Sequence, residues 1–516
     1  MRFSDDLYQL IHSLSQSEKR YVKLVAKAFT SKGTDNQLDL FNAFDRQKES
    51  NEEKIRVQFK DRIPARNFHV AKNRLYNLIL RALYLFHAKN SYKEKINQMY
   101  FQADVLRQKG LYKQCDALLE KGIQQAKSHE DYLLATNGLG KLAASYQDQR
   151  DVQKIKKYLD EDLKQEYEFI ENYKNDITYY YLQLKTLFLT HKKRAARSEE
   201  EMDAIKIISD HPLLQDETLA KSARAKDVFW FLNGFIARYK GDYEKASEYW
   251  GHFVKAYDIY DRIPKAKITN YVADVNNLMF LELEALLFET ADKTCQKLEQ
   301  FLEEDYIQSD PFLTVKIKER IFEFRLEYYV RSYKYKEALD YLSQHQDELD
   351  AIYPQVGKFR ILVLDYVIAC IHICNAQFDE ASKFLDQVFE NKIIKEHEYI
   401  YAGAMILNLI VHFELGNYQL LDSMLLNTYR MMYKRKLLYK TERIIFKYLK
   451  KYLHRQSKQT ILDSFILLKQ ELQELVKNKF ERSFLPNVDL VVWIESKIQN
   501  KPMLEIASTG GLSLEH

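Results

Sequence analysis

Apolar residues recur along this chain three and four positions apart, the period of an α-helix with one face turned to a core. Leu7, Leu10, Ile11 and Leu14 mark a first helix, and Tyr21, Leu24, Val25 and Phe29 a second, led by Ser17-Glu18 and closed by Gly33. Leu38, Leu40, Phe41 and Phe44 predict a third, residues 52–59 a fourth, and Pro64 breaks the chain before a long fifth. On that fifth helix Phe68, Ala71, Leu75, Leu78, Ala82, Leu85 and Phe86 form the seam, with Lys72, Arg74, Asn77 and Arg81 off it.

From residue 95 onward a phrase repeats. Its clearest copy, from Trp230 to Trp250, is a helix, a turn Gly241-Asp242-Tyr243, and a second helix opening on Ala246. The residue types have a physical reason: Gly234 and Ala246 let two helices approach closely, large aromatics fill the space between them, and Gly241 takes the turn. Weaker copies stand at Gly110-Leu111-Tyr112 with Cys115, at Tyr335 with Ala338, at Phe378 with Ala381, and at Gly416-Asn417-Tyr418 with Leu421. Less legible units surround Ile155, Ala204 and Cys295. Taken as equivalent, these small positions recur every 40 to 49 residues.

The match at Trp230, Gly234, Gly241, Tyr243, Ala246 and Trp250 resembles a tetratricopeptide repeat, whose unit is about 34 residues, so this chain is similar to a lengthened form of it. The resemblance implies a right-handed α-solenoid over residues 96–429. Residues 1–95 then form a helical N-terminal unit, residues 430–505 a basic helical C-terminal cap, and residues 506–516 a tail ending in Leu514-Glu515-His516, the start of a vector-encoded tag. Ser13 to Tyr21 and Trp493 to Ile498 also resemble stretches of uncharacterised helical-repeat proteins of Bacteroidota, a likeness that implies no function.

Composition agrees with an all-α fold. The chain has only 13 Gly and 7 Pro in 516 residues, too few for the turns of sandwiches, barrels or doubly wound sheets. Four prolines (212, 264, 311 and 354) fall between the proposed helix pairs. Four cysteines make no disulfide framework and fit a reducing compartment. The N-terminus lacks a signal-like apolar run and no stretch is long and apolar enough to span a bilayer, so a cytoplasmic, membrane-free protein is expected. The net charge of +4 hides basic ends: residues 1–95 hold 19 basic and 11 acidic groups, residues 430–501 hold 17 and 7, and the middle is acidic.

Signatures of catalysis are absent: there is no glycine-rich phosphate loop, His-Glu-x-x-His or Gly-x-Ser-x-Gly, so a non-enzymatic chain without cofactor is expected. Cys370, His372 and Cys374 resemble a metal cluster, but on a helix His372 points away from both sulfurs and packing is the better reading. His69, His191 and His412 lack recurring acid partners. The run Lys192 to Arg197 suggests an anion site or a solvated turn.

Two functions follow. The tetratricopeptide resemblance implies a concave face made by the first helix of each pair, holding a protein or peptide partner of unknown identity. It places Tyr100, Asp104 and Arg107, then Val228, Phe231, Phe235, Arg238 and Tyr239 on that face. Further along it places Arg320, Glu323, Glu327 and Arg331, then Val363, Tyr366 and Cys370. The alternative is a regulator whose N-terminal helices bind DNA through Arg66, Lys72, Arg74 and Arg81, with the repeats as sensor or dimerisation region.

Overall fold

In a computed structural model of the chain, the described residues are 6–29, 36–47, 50–89, 91–190, 195–258, 263, 265–453, 458–476, 478, 480–481 and 487–508. The expected cap at Gly33, the basic residues 192–194, His191, Pro264 and Leu514 to His516 lie outside them. Every regular element is helical, with no strand among the described residues, and the chain divides into two compact units, Met1–Lys174 and Asn175–His516.

The first unit opens with α1 (Asp6–Ser13), α2 (Gln16–Phe29), α3 (Asn36–Asp45), α4 (Glu52–Gln58) and α5 (Phe68–Ala88), closed around Leu40, Phe41, Phe44, Leu75 and Ile79. Helix α2 starts on a capping box: Ser15 N–H donates to Glu18 Oε2 at 2.7 Å and Glu18 N–H to Ser15 Oγ at 3.3 Å, so Ser15 rather than Ser17 leads it. The α5 seam also differs from the pattern read in the sequence. Phe68, Lys72, Leu75, Ile79 and Ala82 are buried, whereas Leu85 is exposed. Lys72 tolerates this position because its Nζ donates to Glu52 Oε2 at 2.5 Å while its stem covers apolar neighbours. Helices α6 (Tyr92–Gln108), α7 (Tyr112–Ser128), α8 (Tyr132–Gln149) and α9 (Val152–Lys157) follow, each packed on the next. Helix α10 (Leu163–Thr190) begins in this unit and ends in the second.

In the second unit α11 (Glu199–Ser209) precedes a series of antiparallel pairs. These are α12 (Ala223–Tyr239) with α13 (Tyr243–Lys255) and α14 (Lys265–Glu284) with α15 (Phe288–Leu302). After the short α16 (Asp305–Gln308) come α17 (Pro311–Arg331) with α18 (Tyr335–Gln344), then α19 (Gln346–Ile352). Two more pairs follow, α20 (Lys358–Cys374) with α21 (Phe378–Glu390) and α22 (Glu398–Glu414) with α23 (Tyr418–Lys434). First helices of successive pairs touch, α14 on α17, α17 on α20 and α20 on α22, so the elements pack in series as in a helical repeat.

One turn recurs inside the pairs. Gly241, Leu286, Tyr333, Ala376 and Gly416 all adopt left-handed backbone, with φ between +56° and +82°. In each, the next residue's N–H reaches back to close a Schellman turn: Asp242 to Ala237 O (2.9 Å), Leu287 to Glu282 O (2.8 Å), Lys334 to Tyr329 O (2.8 Å), Gln377 to His372 O (2.8 Å) and Asn417 to His412 O (3.0 Å). Two positions after the left-handed residue an aromatic starts the second helix, and five positions after it Ala246, Ala291, Ala338, Ala381 or Leu421 is fully buried. These are steps of 45, 47, 43 and 40 residues. The equivalence assumed for Cys295 is therefore corrected to Ala291, one helical turn earlier. Ala204 belongs to no such turn: α11 is capped by Ser198, and Ile205 and Ile208 take its buried face. Gly234 does sit at a helix contact, since a Cβ there would lie 2.9 Å from the Trp250 ring.

Helices α24 (Lys440–Leu453), α25 (Lys458–Val476), α26 (Leu490–Gln499) and α27 (Met503–Ser508) complete the unit. Trp493 meets Phe413 and Phe465 edge-on and donates its Nε1–H to Glu414 Oε1 at 2.6 Å. No helix among the described residues is long and apolar enough to cross a membrane.

Candidate functional site

The second unit encloses a cavity of about 680 Å³, within the range of roughly 300–1,000 Å³ typical of ligand pockets. Part of its wall comes from the first helices of successive pairs. Counting ten residues back from the first four of these left-handed residues lands on Phe231, Asn276, Glu323 and Tyr366, and all four line the cavity, whereas the same count from Gly416 gives Ile406, which does not. Counting six back from the first three gives Phe235, Phe280 and Glu327, one helical turn along the same face, and these line it too, while Cys370 and Ile410 at the same place in the last two pairs do not. Equivalent positions of a repeat thus converge on one space.

Of the residues expected on a concave face, Phe231, Phe235, Arg238, Glu323 and Tyr366 border this cavity, with Glu327 and Val363 beside them. Others are placed elsewhere. Tyr100 is buried in the first unit, where its ring occupies the space beside Gly122 and Gly138 and its hydroxyl donates to Leu134 O at 3.0 Å, so it presents no surface to a ligand. Arg107 pairs with Asp148 at 3.7 Å, and Asp104 with Lys141 at 2.5 Å. Tyr239 turns to the other face of α12, buried with Ala196, Ile205 and Ile208, and burial pushes its phenol up to about 12. Arg320 is not among the residues that border the cavity and lies 3.4 Å from Glu319.

Acids and arginines form a buried lattice along α17. Glu319, Glu323 and Glu327 stand four residues apart on one stripe, each less than a tenth exposed. Arg360 donates its Nε–H to Glu319 Oε1 at 2.6 Å and pairs with Glu323, while Arg331 pairs with Glu327 at 3.1 Å. Burial, with the Arg320 charge nearby, lowers the Arg360 guanidinium to about 10. Such pairs hold their charge only because each desolvated acid has a guanidinium against it.

A second hub closes the cavity from distant parts of the unit. Arg197 donates to Glu442 Oε1 at 2.9 Å, lies 3.3 Å from Glu481 Oε2, and stacks its guanidinium 3.8 Å above the Tyr439 ring. Burial raises the Glu442 carboxyl and Arg197 opposes that rise. Arg197 is therefore committed to carboxylates, and the basic run read in the sequence becomes, at this residue, an internal clamp.

Sequence reasoning missed the α14 contribution, Asn276, Asn277, Phe280 and Glu284, together with Arg360 and residues 396–400, 402 and 403. The signal for α14 was present, because Phe288 and Ala291 repeat the spacing of Tyr243 and Ala246, but the small position of this unit reads in the sequence as Cys295, one helical turn late.

Of the proposed DNA-contacting residues, Arg66, Arg74 and Arg81 are exposed. Lys72 is corrected to a core position, ion-paired with Glu52. Cys370 and Cys374 are buried free thiols and His372 hydrogen-bonds Gln377 at 2.7 Å. No group of three or more His, Cys, Asp or Glu among the described residues is arranged to hold a metal. No model of a known protein family matches the chain, and none of the curated proteins does.

Proposed function

We propose that this protein is a non-enzymatic, cytoplasmic binding scaffold, a right-handed solenoid of tetratricopeptide-like pairs capped by α24–α27, whose inner cavity receives a peptide segment of a partner. The observation that carries this reading is the convergence of Phe231, Asn276, Glu323 and Tyr366, one position repeated in four successive first helices, on a single cavity. A surface built by repetition suits a ligand that is itself a chain of repeated units. The test is selection of a displayed random-peptide library on the full protein, followed by binding to Phe235→Ala. Peptides that bind the variant at least tenfold more weakly support the reading. If every recovered peptide binds wild type and variant equally, it fails.

A DNA-binding regulator remains the second reading, supported by the exposed Arg66, Arg74 and Arg81. It predicts salt-dependent binding of duplex DNA that Arg74→Glu with Arg81→Glu weakens; no binding at low salt removes it.

A further inference from the structure

Among the described residues, no other helix of the second unit exposes as many large apolar side chains as α10 does. Between Ile177 and Thr190 its one charged residue is Lys185. Tyr179, Leu182 and Thr186 turn into the unit and are buried. The opposite side is as apolar yet faces outward: Ile177 is 48% exposed, Tyr180 49%, Tyr181 57%, Leu184 49%, Leu187 40% and Phe188 74%. An amphipathic surface helix ordinarily gives that side to charged and polar residues. Taking about 150–250 Å² for a whole large side chain, these exposures amount to on the order of 700 Å². The largest apolar patch of a monomer is usually about 300–600 Å², and each partner in a stable protein–protein interface buries ~800 Å². The face of α10 therefore has the size of an interface.

The spacing indicates which partner. Ile177, Tyr181, Leu184 and Phe188 stand four, three and four residues apart, the seam along which two helices interdigitate at a shallow crossing angle. Steps of four, three and four read the same in both directions. A second copy of the helix, laid antiparallel about a two-fold axis, thus meets the seam position for position: Ile177 opposes Phe188 of the second copy, Tyr181 opposes its Leu184, and each contact occurs twice. Both contacts set a ring against a smaller aliphatic chain. Parallel helices would instead stack Phe on Phe and Ile on Ile, layers of uneven volume. Antiparallel helices also oppose their dipoles. Lys185 lies with its Nζ 5.9 Å from the centre of the Tyr181 ring, and as a single cation it offers no charge pattern to a highly charged partner.

We propose that two copies of this protein associate through α10, antiparallel, with Ile177, Tyr181, Leu184 and Phe188 at the centre of a two-fold interface. The pairing is independent of what the cavity binds.

Sedimentation equilibrium of the full protein at tens of micromolar should give twice the 61.6 kDa chain mass. Tyr181→Glu with Leu184→Glu drives charge into the centre of the contact and should raise the dimer dissociation constant at least about a hundredfold. Both side chains are exposed, so the helical circular dichroism of the variant should match wild type. Orientation is read from disulfides. All four native cysteines are buried, which makes a cysteine introduced on this face the accessible thiol. Ile177→Cys mixed with Phe188→Cys should cross-link on oxidation with diamide. Neither variant should cross-link to itself, because its two copies of the new cysteine would lie about 16 Å apart along the antiparallel helices. A wild type that stays monomeric at tens of micromolar overturns the proposal and leaves the face to a different protein. A dimer that survives the double glutamate variant has its interface elsewhere and overturns it as well. So does self-cross-linking of either cysteine variant, the mark of parallel helices.

Discussion

Glu282 shows how a single buried side chain sets a property of the whole protein. It projects from α14 away from the cavity, accepts a hydrogen bond from Thr294, and is only 5% exposed with Oε2 unpaired. Burial pushes its carboxyl from an ordinary 4.5 up to about 7, with Lys297 opposing the rise. Between those two values the folded state holds a proton that the unfolded chain releases, so stability falls as pH rises from 4.5 to 7 and is level above. Glu282→Gln should flatten that fall and make the protein more stable than wild type at pH 8, by on the order of 1–3 kcal/mol. Thermal midpoints across pH 4–8 check it; an unchanged slope would show that the acid is ionised in the fold. Lys72 teaches the complementary lesson. Its charge and its place in the heptad-like pattern of α5 argued for a surface role, yet an acid on a neighbouring helix, Glu52, turned it inward. Nothing local to residue 72 carries that information.

At the level of the element, the Schellman turn is the unit of the repeat. Its hydrogen bonds are made by backbone, so Leu286, Tyr333 and Ala376 close it as Gly241 and Gly416 do, at the expense of left-handed strain. Ala376 is exposed, which makes it the clean place to measure that strain. Ala376→Gly should stabilise the protein by roughly 0.5–1 kcal/mol, and Gly241→Ala, which meets no atom within 4 Å, should destabilise it by about 1 kcal/mol. Equilibrium denaturation of both variants decides the matter, and equal midpoints for all three proteins would refute it. The same turns explain how far the candidate site could be read in advance. The tetratricopeptide resemblance around Gly241 implied the inner positions Phe231, Phe235 and Arg238, and its weaker copies at Tyr335 and Phe378 implied Glu323 and Tyr366. At Leu286 the small position reads in the sequence as Cys295, one helical turn late, and the helix before it, with Asn276 and Phe280, went unread.

Over the whole chain, two compact units and a serial packing order govern how the protein should come apart. All three tryptophans, 230, 250 and 493, belong to the unit Asn175–His516. Denaturation followed by tryptophan fluorescence therefore reports that unit, whereas far-ultraviolet circular dichroism reports helices of both. The two curves are expected to differ in midpoint, because contacts in such arrays are largely between neighbours and cooperativity is limited; coincident curves would show a single cooperative fold. The sequence by itself determined the helical character of the chain, the small residues at close helix contacts and the pairing of helices around Gly241 and Gly416. These follow from a 3.6-residue period and from backbone chemistry that act within a few residues. Only the tertiary structure decided that Arg197, Glu442 and Glu481 meet, that Arg360 pairs with Glu319 and Glu323 on α17, and that equivalent positions of four first helices border one cavity. Each depends on side chains brought together from helices scores or hundreds of residues apart, where packing geometry rather than local pattern fixes the distance.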